Sequence, residues 1–170
     1  MSEHIKQTVQ LIKSQFNAVV EEFRGETSLV VLPEFIVPVL NSLKNNFHFN
    51  TLMDVTAVDY YPNEVPRFHV VYQLYSMPEN VRIQVRATLD GNSPSIDTVE
   101  KVFPGANWKE REVYDLFGVN FLGHSDLRRI EMPEDWTGHP LRKDYPLGYE
   151  EVQFTFNFEE IMQNKPQPKD

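Results

Sequence analysis

The sequence predicts an α+β domain. Three observations carry that reading: an opening segment with helical apolar spacing, three successive strand-like segments in the middle, and a charged helix late in the chain. A length of 170 residues, 41% hydrophobic and 24% charged, is enough for one domain with a real core.

Ile5, Val9, Ile12, Phe16, Val19 and Phe23 recur alternately four and three apart, and Gly25 stands where a C-terminal cap would be. Glu3 to Glu22 is therefore expected to be helical. Thr27 to Leu32 reads as a short strand, and Pro33 opens a second helix with Ile36, Leu40 and Leu43 on one side. Pro38 falls early in that helix, where its missing N–H has no intrahelical acceptor to lose.

Thr51 to Tyr61, Arg67 to Tyr75 and Val81 to Leu89 read as strands, the last two joined across SMPEN. In the third, Val81, Ile83, Val85, Ala87 and Leu89 alternate with Arg82, Gln84, Arg86 and Thr88. One sheet face should be covered by helices and the other wetter.

Ser95 is expected to cap a short helix through Phe103. Asn107 and Glu110 form a capping-box variant that starts a helix ended by Gly118. Arg111 and Asp115, at i and i+4, would then make a surface ion pair worth a few tenths of a kcal/mol. From Val119 to Leu147 no period is sustained, in a section too long for an ordinary loop. Val152, Phe154, Phe156 and Phe158 alternate with polar residues as a late strand able to pair with another chain, and NKPQPKD reads as disordered.

Composition excludes several functions. The formal net charge is −9 with no basic run, so nucleic acid is not an expected partner. The longest apolar run, Leu29 to Leu32, is far short of the roughly 20 residues that span a bilayer. The N-terminus lacks a secretory signal pattern. Without cysteine there are no disulfides, thiolate nucleophiles or cysteine-held iron–sulfur clusters. No glycine-rich phosphate cradle or nucleophile elbow occurs. His124, His139, Asp126, Glu131, Asp135 and Asp144 lack helical metal-ligand spacing, so no metal site is assigned. Glu110, Glu112 and Asp115 would be the acid and base of a carboxylate hydrolase, a minor alternative. Phe117, Phe121, Trp136 and Tyr145, mixed with the pairs Arg128-Arg129 and Arg142-Lys143, favour a buried protein–protein contact instead.

The stretch ANWKEREVYDLFGVNFLGHSDLRRIEMPEDWTGHPLRKDYPL, Ala106 to Leu147, carries E-R-E-x-x-D-L-F-G-x-x-F-x-G-H and G-H-P-L-R-K-D-Y-P in order, and DVTAVDYYP precedes it at Asp54 to Pro62. Over roughly residues 25 to 147 the chain resembles the 30-kDa core subunit of proton-pumping NADH:quinone oxidoreductase, the respiratory complex I family. Ser125 departs from the family's usual proline after the first Gly-His. The resemblance implies an α+β fold with a small mixed sheet in residues 1–147, then an extended segment, 148–170, lying on partner subunits. It implies no catalytic, cofactor or metal site in this chain, whereas the whole complex carries FMN, iron–sulfur clusters, NADH and quinone. The implied partners are the quinone-pocket subunit and the iron–sulfur subunits of the peripheral arm. The implied location is peripheral, on the cytoplasmic side of the cell inner membrane, with membrane contact only through partners. The expected interface comprises Trp108, Glu110, Arg111, Glu112, Asp115 and Phe117 on the helix, with Phe121, His124, Arg128, Arg129, Trp136, His139, Arg142, Lys143, Asp144 and Tyr145 beyond it. On that reading Arg111 and Arg129 matter more to assembly than to the fold of the chain alone. The equivalent subunit of a membrane-bound hydrogenase or a ferredoxin-fed relative is the alternative within the superfamily.

Overall fold

Helix α1 (Glu3–Phe16) stops at Phe16 rather than continuing to Glu22. Asn17 turns left-handed with φ 52°, and Val19 and Val20, β-branched and awkward in a helix, enter strand β1 (Val19–Phe23). Arg24 and Gly25 both have positive φ, the geometry of a two-residue hairpin turn, and return the chain into β2 (Glu26–Val31). Spacings of three and four are met by the residues of this hairpin too, which is why the helix was expected to run on. The computed structural model describes residues 3–63, 65–89, 91, 93–145, 156 and 158–160.

A 3-10 turn, Pro33–Phe35, leads into α2 (Ile36–Phe47), with Pro38 in its first turn as expected. Ile36, Val39, Leu40 and Leu43 are fully buried, and each such aliphatic side chain stabilises by roughly 1.5–3 kcal/mol. Strands β3 (Thr51–Asp59), β4 (Phe68–Ser76) and β5 (Val81–Leu89) follow in the expected order. The sheet is mixed, ordered β1-β2-β5-β4-β3, with β2 and β5 parallel and every other pair antiparallel.

Register sets the two faces. Val55, Tyr72 and Val85 lie side by side, and their face also carries Ala57, Asp59, Phe68, Val70, Leu74, Ile83 and Ala87, all buried. The opposite face carries His69, Gln73, Arg82, Gln84, Arg86 and Thr88 and is wetter, as the alternation required. There Arg86 bonds to Glu21, Tyr60 and His69.

Ser95 does not cap a helix. Ser95–Asp97 form β6, parallel to β7 (Asn120–Leu122), and Ile96 and Phe121 pair in register and are both buried. Only a turn follows, with the Val102 and Phe103 N–H groups donating to Val99 O. Long-range pairing overrides the local Ser-initiated pattern. Helix α3 (Ala106–Phe117) lies against β3, and the chain then wraps around it to Tyr145. Phe156 sits in a turn, 86% exposed, and 158–160 are helical, so these positions are not in the expected strand. Val152, Phe154 and the final tail residues lie outside the described residues. Among the described residues no helix is long and apolar enough to cross a membrane.

Candidate functional site

Helix α3 starts without the expected capping box. Gly105 is its N-cap and makes no side-chain cap bond; Ala106 and Asn107 instead donate their N–H groups to the Phe103 and Pro104 carbonyls. Asn107 lies inside the helix, and its side chain donates to Glu100 at 2.9 Å and Ser125 at 3.1 Å. Ser125, where the family usually has proline, thus has a local partner set, since its N–H and hydroxyl also reach Glu100.

Glu110 does not serve the cap either. It points into the interior, wholly buried, where it accepts the Val99 N–H at 2.8 Å and the Thr98 hydroxyl at 2.5 Å. Burial raises its carboxyl above the ordinary range against the pull of those two donors. Burial likewise raises the Tyr72 hydroxyl, with the Glu110 charge adding to it. His124 lies 3.8 Å from Glu110, takes the Asp126 N–H on Nδ1 and therefore presents its Nε2 proton to Asn107 O at 3.1 Å.

The last four carbonyls of an α-helix have no intrahelical donor, and in α3 each finds one in the following segment. Gly118, left-handed at φ 73°, donates its N–H to Tyr114 O. Asp115 O accepts from Arg129 Nη1 at 3.2 Å and His139 Nδ1 at 2.9 Å. Leu116 O accepts the Leu141 N–H at 3.0 Å, and Phe117 O the Arg142 Nε–H at 2.6 Å. The second Gly-His step, with Arg129 and Arg142, thus caps the helix from a distance and sets cations at the negative end of the macrodipole, whereas the first Gly-His step meets the helix at its other end, through His124 on Asn107 O. Gly118 is required there for space as well as for φ, because a Cβ would stand 2.5 Å from His139 Cδ2. Burial lowers the His139 imidazole from its usual value, with Arg142 and Arg129 opposing its charge as well. Arg142 is lowered too, first by burial and then by Arg67.

Asp115 organises the middle of this clasp. Its Oδ2 accepts the N–H groups of Ile130, Glu131 and Met132 at 3.0, 2.8 and 2.8 Å, and its Oδ1 meets Arg129. Burial alone would raise this carboxyl, but the Met132 amide, Arg129 and the other two amides outweigh it and hold it below the usual range. Arg129 also donates to the Trp136 and Gly138 carbonyls. The expected Arg111–Asp115 pair does not form. Both side chains turn inward toward different parts of the clasp, and Arg111 donates to the carbonyls of Arg128 and Arg129.

The far end of the clasp is tied to the sheet by Asp59 and Arg67, neither of which is among the expected site residues. Arg67, 1% exposed, grips Asp59 with Nε and Nη2 at 3.0 and 2.9 Å and takes Asp144 at 2.7 Å, while the Lys143 N–H donates to Asp59 at 2.9 Å. Burial would raise Asp59; Arg67 and the two amides lower it below its usual value. A signal existed: Val55, Ala57 and Asp59 share one face of an alternating strand, and a carboxylate on an apolar face requires a buried partner.

The family model of the respiratory-chain NADH dehydrogenase 30 kDa subunit matches residues 29–151. The chain belongs to this family. This family member is 56% identical over 128 residues to an NADH-quinone oxidoreductase subunit of Geobacter metallireducens, spanning 75% of this chain and 79% of that one. It is 50% identical to the same oxidoreductase subunit of Geobacter sulfurreducens over 86% of this chain and 92% of the other. Among solved structures, the trypsin-resistant fragment of Nqo5 superimposes with a TM-score of 0.66 at 33% identity, over 73% of this chain and 99% of the fragment. A chain of the archaeal membrane-bound sulfane sulfur reductase superimposes with a TM-score of 0.69 over 99% of this chain and 97% of that one, at 20% identity, and shares the fold.

In this 30 kDa-type subunit the sixteen expected interface residues are brought into one region but do not all face outward. Glu110, Arg111, Asp115 and Phe121 are buried inside the chain, as is the His124 side chain. Arg129, Phe117, Trp136, His139, Arg142 and Tyr145 are half-buried, and Tyr145 closes over Gly138. Trp108, Arg128, Lys143 and Asp144 are exposed. Glu112 joins Lys109 at 3.4 Å, and Lys109 joins Asp54 at 3.1 Å. The polar contacts expected across a junction with another polypeptide are therefore made within this one. A hydrolase built on Glu110, Glu112 and Asp115 is ruled out by the same geometry, since the first and last are sealed from water with their oxygens occupied.

Proposed function

We propose that this family member is a redox-inert subunit of the peripheral arm of proton-pumping NADH:quinone oxidoreductase, bracing the quinone-pocket subunit and the iron–sulfur subunits. On this reading FMN, the clusters, NADH and quinone belong to neighbours, and electrons pass through those neighbours. The chain sits on the cytoplasmic side of the inner membrane and touches it only through partners.

The observation that carries the reading is the 56% identity to an NADH-quinone oxidoreductase subunit over three-quarters of the chain. The geometry supports it physically. A brace must hold its shape without cofactors, and the clasp closes α3 with hydrogen bonds from residues 123–145, which follow β7 and form no helix or strand. The hydrogenase-type alternative draws less support, because the likeness to the sulfane sulfur reductase at 20% identity is one of fold.

A tagged chain recovered from membranes in mild detergent tests the proposal. The quinone-pocket and iron–sulfur subunits should co-purify with NADH:quinone activity. Recovery with a nickel-ligating large subunit, or recovery alone, would overturn it.

A further inference from the structure

A cavity of about 490 Å³ opens where β6 and β7 meet the end of α3. Ser95 and Asn120, paired in register on the exposed side of the two strands, line it together with Ser93. Gly118, His139 and Arg142 line it from the clasp. The last two converge. A Cβ on Gly118 would run into Arg142 Nη2 and would stand 2.6 Å from His139 Nε2, so both nitrogens lie over one point of the backbone.

The proton on His139 is placed by its partner. Asp115 O is a carbonyl and only accepts, so Nδ1 carries the hydrogen of their 2.9 Å bond, and the neutral ring has a bare lone pair at Nε2. Burial disfavours a second proton on the ring, as do the charges of Arg142 and Arg129. Tyr114 meets the ring edge-on, with centroids 6.2 Å apart. Arg142 donates Nε to Phe117 O and Nη2 to Gly118 O, both neutral acceptors.

Among the described lining residues there is no carboxylate. Those of the clasp are engaged elsewhere, Asp115 by Arg129 and three amides, Asp59 and Asp144 by Arg67. Asp97 is exposed on β6 but stands one outward position beyond Ser95, opposite Leu122. Lys143, exposed, follows Arg142 in the chain. A ligand suited to this wall brings negative oxygens for Arg142 and for the serine and asparagine donors, and a hydrogen for Nε2. A carboxylate at neutral pH has the oxygens and lacks the hydrogen, and so does a phosphate diester. A phosphate group with one P–OH has both.

We infer that this cavity binds a phosphate group that keeps a hydrogen, its charged oxygens taken by Arg142 and the Asn120 amide and its P–OH donated to His139 Nε2.

NMR of the His139 ring nitrogens in the purified full chain tests this, with inorganic phosphate, chloride and acetate added at matched ionic strength. At neutral pH phosphate should move the Nε2 resonance to saturation, while chloride and acetate leave it in place. Asn120→Asp, exposed and nearly isosteric, sets a like charge against the anion and should weaken the phosphate response about tenfold, with the unfolding midpoint in chloride near that of wild type. Ser95→Asp, at the paired position, should do the same. Absence of saturation with phosphate overturns the inference. So does an equal response to chloride, which is screening alone, or to acetate, which makes the cavity a carboxylate site. Wild-type affinity in both aspartate variants overturns it by placing the bound phosphate elsewhere. A response to phosphatidylglycerol vesicles without one to inorganic phosphate overturns it in favour of a lipid diester.

Discussion

The Asp115 carboxylate and the Arg129 guanidinium meet at 2.5 Å, with the carboxylate sealed from solvent and the guanidinium nearly so. Together they account for one helix carbonyl, three loop amides and two loop carbonyls. The pair therefore fixes the path of the chain from Ile130 to Gly138 against α3.

Asp115→Ala leaves Arg129 and three amides without their acceptor in a place water does not reach. Removing one partner of a buried pair costs about 3–5 kcal/mol, and urea unfolding of the purified chain should report a loss of that size. A loss under about 1 kcal/mol would mean that the clasp does not depend on this contact. Arg129→Ala should act in the same direction on the chain alone, because Arg129 is bound up in the fold of its own chain rather than waiting for another.

The pH dependence of stability carries two opposed contributions. Asp59 and Asp115 have folded-state values below their unfolded ones, so their stabilisation is present above about pH 4 and is lost as pH falls through the folded values. Glu110 has a folded value above its unfolded one, so its contribution is present below about pH 4 and is lost as pH rises through the folded value. Unfolding free energy measured in urea at successive pH values should fall steeply in acid, with a shallow decline as pH rises from about 4 through the Glu110 titration and a level course beyond it. Glu110→Gln should remove the shallow decline and leave the acid limb; a decline that persists unchanged in that variant would show that Glu110 is not its source.

Gly118→Ala meets two obstacles at once, a positive φ of 73° and a Cβ that collides with the His139 ring. The conformational cost alone is about 1 kcal/mol, and displacing His139 and Arg142 uncaps the Asp115 and Phe117 carbonyls. The midpoint of thermal unfolding should drop, and the Leu141 amide should lose its protection from hydrogen exchange. Full protection in the variant would refute the capping role.

Tyr72→Phe should go the other way. The Tyr72 hydroxyl is buried and meets no hydrogen-bond partner among the described residues, and an unsatisfied buried polar group costs roughly 1–3 kcal/mol. Deleting the oxygen should leave stability unchanged or raise it by about 1 kcal/mol in urea unfolding. A destabilisation of similar size would mean that the hydroxyl contributes a bond of its own.

The amino-acid sequence by itself determined the three central strands, the α2 and α3 helices and the covered and wet faces of the sheet, because these follow from apolar spacing and turn residues close along the chain. It also determined the family, since the two Gly-His motifs and the ERE segment stand together in order. Tertiary structure alone decided that Val19–Phe23 is a strand and that Ser95–Asp97 pairs with Asn120–Leu122, where distant partners outweigh local preference. It alone decided that Asp115 pairs with Arg129 and not Arg111, and that Asp59 and Arg67 hold the end of the clasp. Whether a charge faces water, a partner or its own chain is decided by what lies across from it in space. Spacing along a helix records which residues share a side, and carries no record of what that side meets.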